Sequence, residues 1–439
     1  MRFSTQRICE DIDYTASDAF VTMCRQTNEN NFSRNRKMPL SKLLLTMLNR
    51  RGTSLAVELR RFRELSDSHE SISKPGYLKQ RLKLAPEAIM ALCDFHNKSL
   101  YRDEEMQTFK DHLILASDGS GINVPTTQET LGKYGSSCKH NSKKQASLGL
   151  YCLYDVINKI ILGCSINRVK YDEGAQARVQ LTRIPSIIGD KKTIIALDRG
   201  HPSLPLFHDW LSNNQKFIVR LKASDFKAEK RCMVSDDEWC DIVIERTRLL
   251  KYKGTETYDL LKKAGSLRLR IVNFKLAGGT HVSVATNLSE SEFSKTDIVH
   301  IYSLRWGVET AFNTLKNNLE IENFTGTKPT LIEQDIFACV YLCNILQDMI
   351  ADAQAELESS EKPPSKHKIV INKAYAVGIM KDCLVKALLE PDRVRKEELF
   401  MQMVSEIQDN VLPVRPGRKY ARPKGRFASK YSNTHKRCY

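Results

Sequence analysis

Two short apolar runs constrain this chain most. Leu113-Ile114-Leu115-Ala116 and Thr193-Ile194-Ile195-Ala196-Leu197 each run into an aspartate with a glycine close behind, in Ser117-Asp118-Gly119-Ser120 and Asp198-Arg199-Gly200. Short, uniformly apolar runs closed by such turns read as strands buried on both faces, which need a sheet covered by helices. Residues 147–156 and 160–169 read as a hairpin turning at Asn158-Lys159. Residues 173–188 and 203–213 read as helices, and 216–222 as a further strand. The order strand, strand, strand, helix, strand, helix, strand describes an α/β sheet.

If the strands before Asp118 and Asp198 are neighbours, their carboxylates meet at one sheet edge. Clustered carboxylates repel unless cations neutralise them. Hard oxygen donors of this kind select Mg²⁺ or Mn²⁺ over zinc. A lone Asp after a strand more often caps a turn, so the pairing of the two matters.

A chain of 439 residues exceeds one ordinary domain. Residues 1–105 read as helical: an apolar run at 39–48, a helix from Ser54 carrying Arg60, Arg61 and Arg63, and one opened by Pro75-Gly76 with Lys79, Arg81 and Lys83. Basic helices suit nucleic-acid reading, though ordinary surface helices look alike. Residues 106–224 form the first part of the α/β core. Residues 225–290 lack a convincing helix and read as a β-rich insertion with its own sheet. Residues 291–350 return to the core with helices at 295–318 and 331–357. Residues 351–439 hold a linker, Glu361-Lys362-Pro363-Pro364-Ser365, a helix near 374–389, and a basic tail.

Lysine and arginine number 68 against 52 acids, a net charge of +16, which points to a polyanionic partner. From Val411 to Tyr439 there is no acid, while Arg418, Lys419, Arg422, Lys424 and Arg426 are interleaved with Tyr420, Phe427 and Tyr431. Such a tail can follow a phosphate backbone while its rings stack; a solvated, disordered tail is the plainer alternative. Hydrophobic residues make up 41%, enough for a large core, and no unbroken apolar run has bilayer-spanning length. The start of the chain does not resemble a signal peptide, so the chain reads as soluble and intracellular. The twelve cysteines have no zinc-type spacing; Cys339 with Cys343, and Cys138 near His140, read as thiols rather than metal ligands.

The segment from Tyr302 to Lys316 carries the remaining chemistry. On a continuous helix at about 100° per residue, Tyr302, Arg305, Glu309 and Lys316 share a stripe about 60° wide, beside the apolar face formed by Ile301, Leu304, Val308, Ala311, Phe312, Leu315 and Leu319. That places a carboxylate and two cations at the border of the core. A solvated flank with an Arg305–Glu309 pair would fit the same stripe.

With these residues in view, the chain resembles a DDE transposase of the insertion-sequence-four family. That family carries Tyr, Arg, Glu and Lys separated by two, three and six residues, which Tyr302, Arg305, Glu309 and Lys316 match. Asp118-Gly119-Ser120, Asp198-Arg199-Gly200-His201-Pro202-Ser203 and Ala285-Thr286-Asn287-Leu288 add to the resemblance, which covers about residues 110–345. It implies an α/β fold with a ribonuclease-H-like mixed sheet core interrupted by a β-rich insertion, a helical N-terminal domain and a helical, basic C-terminal region. It implies Asp118, Asp198 and Glu309 as catalytic ligands of two Mg²⁺ ions, with Mn²⁺ substituting, and Tyr302, Arg305 and Lys316 as phosphate contacts. Trp306 becomes a candidate for stacking on a flipped base, with packing beneath the insertion as its alternative. His201 becomes a neighbour of the site, more simply a structural residue of its turn. The implied partners are double-stranded DNA, at terminal inverted repeats and at a target, and a second copy of the chain, in a prokaryotic cytoplasm at the nucleoid. A hydrolysis-only metal nuclease of the same core and a catalytically silent DNA-binding relative are the rival readings.

Overall fold

The computed structural model describes residues 3–25, 28–34, 37–67, 71–137, 144–276, 278–359 and 367–415. The basic tail from Arg418 onward, the linker at 361–365, and Cys138 with His140 lie outside the described residues. The chain divides into two compact units, one of residues 104–120 and 150–311, the other of 1–103, 121–149 and 312–439.

The first unit is built on an eight-stranded sheet. Its strands are β1 (Leu113–Asn123), β2 (Ser147–Asp155), β3 (Ile160–Arg168), β4 (Thr193–Leu197), β5 (Lys216–Arg220), β6 (Asp237–Val243), β7 (Ser266–Lys275) and β8 (His281–Thr286), in the order β3-β2-β1-β4-β5-β8-β7-β6. The outermost residues of β1 and β2, 121–123 and 147–149, group with the second unit. β1, β4 and β5 run parallel, in the register Ser117 beside Leu197 and Leu197 beside Val219. Their inward runs are fully buried, as their apolar sequences require, and the helices Glu173–Arg183 and Leu204–Ser212 follow β3 and β4. At the turn between β2 and β3, Oδ1 of the buried Asp155 accepts from the amides of Ile157 and Asn158 at 3.1 Å. Lys159 takes a positive φ of 62° there.

Three expectations need correction. The predicted end of the first strand at Asp118 is wrong: β1 continues to Asn123, and Asp118 marks where it leaves the buried core. The stretch from 225 to 290 does not make its own sheet, because β8 pairs antiparallel with β5 and so extends the central one. That stretch is also interrupted by helices Lys227–Cys232, Arg246–Leu249 and Glu256–Ala264. The predicted helix from 295 to 318 is broken. Helix Lys295–Leu304 ends in a tight turn in which Arg305, Trp306, Val308 and Glu309 each donate to the carbonyl three residues back. Helix Gly307–Asn313 follows, then a π-helical turn at Thr314–Asn318, where Leu319 donates to Thr314 O at 2.9 Å. Apolar periodicity alone cannot register these changes in backbone pitch.

The second unit is helical around Pro329–Ser359, a helix of 31 residues. Its central window is long and apolar enough to cross a membrane, yet 83% of that window is buried, against helices Pro86–Asp103 and Arg393–Asp409 among others. Its polar residues are bound inside the unit. Asp348 holds Arg7 at 2.5 Å. Asp11 accepts from Tyr341 at 2.8 Å and lies 2.8 Å from His96. Asp335 binds Arg81 at 2.9 Å and Arg50 at 3.0 Å. Arg81 is therefore buried inside the unit, which removes it from the basic face read in the sequence. Helix Arg393–Asp409 is an element the sequence reading lacks, although Phe400, Met403, Val404 and Ile407 recur at helical spacing and are all buried.

Candidate active site

The parallel register places Asp118 next to Asp198, because Ser117 pairs with Leu197 one residue earlier on each chain segment. Adjacent strands lie about 4.8 Å apart, so two carboxylates here share one space. That space is an open cavity of about 470 Å³ lined by Asp118, Glu173, Asp198, Arg199, Gly200 and Lys222. The neighbouring parallel strand ends at the same edge, and the step from Val219 brings Arg220 beside Asp198, 3.4 Å from its Oδ1.

The two aspartates are not equivalent. Burial pushes the Asp118 carboxyl above its usual range and the charge of Asp198 adds to the shift, while the Gly119 amide and the Arg305 guanidinium oppose it. Burial also acts to raise Asp198, but the Arg199 amide and the guanidiniums of Arg305, Arg220 and Arg199 outweigh it and hold the group below its usual range. One carboxylate is thus already compensated by cations, and the other resists ionising without one.

Tyr302 and Arg305 close this side of the site. The Tyr302 hydroxyl donates to Asp198 Oδ1 at 3.4 Å. Arg305 is only 5% exposed. Its guanidinium lies over the rings of Tyr302 and Trp306, and its Nη2 is 3.5 Å from Glu309 Oε1. Arg305 therefore ties Glu309 electrostatically to both aspartates. Trp306 is 50% exposed, which leaves part of its surface open. Lys316 belongs to the helical unit, where its Nζ donates to Gly121 O at 2.8 Å and burial lowers its pKa against the opposing charge of Glu322.

His201 is buried in its turn. Its amide donates to Asp198 O at 3.2 Å, and its ring lies 3.2 Å from that carbonyl and 3.4 Å from the Tyr151 hydroxyl. Burial holds its pKa below the usual value, so it is neutral at pH 7. Glu173, Arg220 and Lys222 were missed by sequence reasoning. Arg220 carried a signal, since the carboxyl ends of parallel strands meet at one edge. Glu173 follows Asp172 at a helix start and reads there as part of a cap.

A divalent cation is implied by the resemblance, and the donors fit one. The facing side chains are carboxylates, hard oxygen ligands with a shared excess of negative charge. The buried Tyr171 hydroxyl beside them has no hydrogen-bond partner among the described residues, a group that a hydrated cation could satisfy. No three His, Cys, Asp or Glu side chains among the described residues stand ready-set at metal-holding spacing, and Glu309, paired with Arg305, is not among the residues lining the cavity.

A family model described as "Transposase DDE domain" matches residues 109–345, more than half of the chain. The transposase for insertion sequence element IS421 of Escherichia coli is 33% identical over 75 residues, 17% of this chain and 20% of that protein. The probable transposase for insertion sequence element IS5377 of Geobacillus stearothermophilus is 23% identical over 154 residues, 33% of this chain and 36% of that one. These matches span a fifth to about a third of the relatives' own length. Among solved structures, a piggyBac transposase synaptic complex with hairpin DNA aligns over 94% of this chain and 83% of that one, with a TM-score of 0.43 and 11% identity.

Proposed function

The chain belongs to the transposase DDE domain family, and from that premise we propose that it cuts DNA at the terminal inverted repeats of a mobile element and joins the freed 3′-hydroxyls to target DNA. The observation that carries this reading is the pair Asp118 and Asp198, side by side on parallel strands and opening into one cavity. The strand order β3-β2-β1-β4-β5, with β1, β4 and β5 parallel, supports a ribonuclease-H-like core.

Asp118, Asp198 and Glu309 would hold two Mg²⁺ ions, with Mn²⁺ as a substitute. When bound, such ions activate the attacking water or 3′-hydroxyl and stabilise the leaving oxygen. Arg305, Tyr302 and Lys316 would grip the phosphates flanking the scissile bond. Arg305 has a second task, since its charge keeps Asp198 ionised and releases Glu309 only when another cation replaces it. The neutral His201 ring and Tyr151 would fix the Asp198 turn. The N-terminal helices and basic tail would bind the repeats, two copies of the chain would pair two ends, and the work would take place at a prokaryotic nucleoid.

Three measurements test this reading. Duplex affinity should fall about a thousandfold between about 50 and 200 mM salt if six phosphates are contacted. A nearly flat response would remove the phosphate-binding part. An end substrate carrying 2-aminopurine beside the cut should brighten on binding wild type and less so with Trp306→Ala; equal responses would remove Trp306 as the stacking partner. Finally, strand-transfer products separate this reading from that of a nuclease, which gives only nicked or cut DNA.

A further inference from the structure

Glu173 occupies a position that the three-carboxylate reading does not use. It opens helix Glu173–Arg183, whose N-terminus is capped by Asp172 accepting from Ala175 N at 3.1 Å. The cap leaves the Glu173 side chain free to turn toward the sheet edge, where it lines the cavity with Asp118 and Asp198. Its two oxygens reach the glycines that follow the two aspartates. A Cβ placed on Gly119 would lie 2.9 Å from Glu173 Oε1, and one on Gly200 would lie 2.6 Å from Oε2. The absence of a side chain at both positions leaves room for this carboxylate in the cavity it shares with Asp118 and Asp198. Oε2 also lies 3.8 Å from Nε2 of His201, too far for a hydrogen bond to satisfy it. The orphaned Tyr171 hydroxyl packs against Gly119 on the same side.

A third carboxylate sharing a cavity with two others is unfavourable by itself, since each raises the cost of ionising the next. No arginine or lysine pairs with Glu173 among the described contacts, whereas Asp198 has Arg220 and Glu309 has Arg305. We propose that Glu173 is a fourth carboxylate of the metal centre, binding a divalent cation directly or through its coordinated water together with Asp118 and Asp198. This rests on the active-site reading above and deepens it. Asp118 and Asp198 come from the sheet and Glu173 from a helix start, and all three line one cavity; they are not ready-set at metal-holding spacing, so the ion would draw them together.

Mn²⁺ titrated against the full chain, with free ion followed by electron paramagnetic resonance, tests this without relying on turnover. Glu173→Gln, which keeps size and removes charge, should weaken Mn²⁺ binding by about ten- to a hundredfold. Gly200→Ala keeps every carboxylate but pushes Glu173 aside, and should weaken binding in the same direction. Glu173→Asp, which keeps the charge, should bind more tightly than Glu173→Gln. Thermal unfolding followed by circular dichroism confirms that each variant is folded, and either of the first two suffices if the other is not. Wild-type affinity in both Glu173→Gln and Gly200→Ala, with binding lost in Asp198→Asn, would overturn the role of Glu173 alone. Binding untouched by Asp198→Asn would overturn the metal site and this proposal with it.

Discussion

Asp198→Ala is expected to lower Mg²⁺-dependent DNA cleavage by about a thousandfold, ~4 kcal/mol of transition-state stabilisation, while DNA binding persists. The reason lies in the division of labour at the sheet edge. Asp198 is the carboxylate kept ionised by Arg220, Arg305 and Arg199, and so the one ready to receive a cation. Duplex affinity comes mainly from basic residues meeting phosphates, and deleting an acid at the cavity does not subtract from it. Gel assays of cleavage and of binding, run on the same preparation, check both halves. Cutting at the wild-type rate would show that Asp198 has been assigned wrongly.

The second large effect is on stability. Asp335→Ala should destabilise the helical unit by ~3–5 kcal/mol, because removal of one partner leaves buried cations uncompensated. Arg81 is fully buried against Asp335, which also holds Arg50 and accepts from the Thr325 amide at 2.8 Å. Burial alone would raise the Asp335 carboxyl, but Arg50, Arg81 and Thr325 outweigh it and hold it below the usual range. The sign of the pH dependence follows. A carboxyl depressed in the folded chain contributes its stability above the unfolded-state value of about 4, and loses it as pH falls through the native value. The guanidinium midpoint of the helical transition should therefore drop in Asp335→Ala at pH 7, and the gap between variant and wild type should shrink under strong acid. An unchanged midpoint at pH 7 would mean that the network contributes nothing net.

The sheet was legible where one residue type did one job. Apolar runs ending at Asp118 and Asp198 identified β1 and β4, and their alternation with helices identified the α/β order. Elsewhere a local signal has two meanings. Asp118-Gly119 reads as a turn, but a half-exposed strand tolerates the same pair, and β1 runs through it. The helical wheel joined Tyr302, Arg305, Glu309 and Lys316 on one stripe. The backbone changes pitch after Leu304 and again at Thr314, so the stripe is not continuous. Tyr302, Arg305 and Glu309 lie in the sheet unit and Lys316 in the helical one. Glu173 was invisible because its neighbours in sequence explain it as part of a helix start. Only the register of β1 against β4, and the room left at Gly119 and Gly200, reveal what its carboxylate faces.

The most direct test is anomalous scattering from Mn²⁺ in crystals of the chain bound to a cleaved DNA end. We expect two peaks about 3.5 to 4 Å apart, with Asp118, Asp198 and Glu309 as ligands and Glu309 released from Arg305. Manganese bound elsewhere, or Glu309 still on Arg305 and remote from both peaks, would contradict the account.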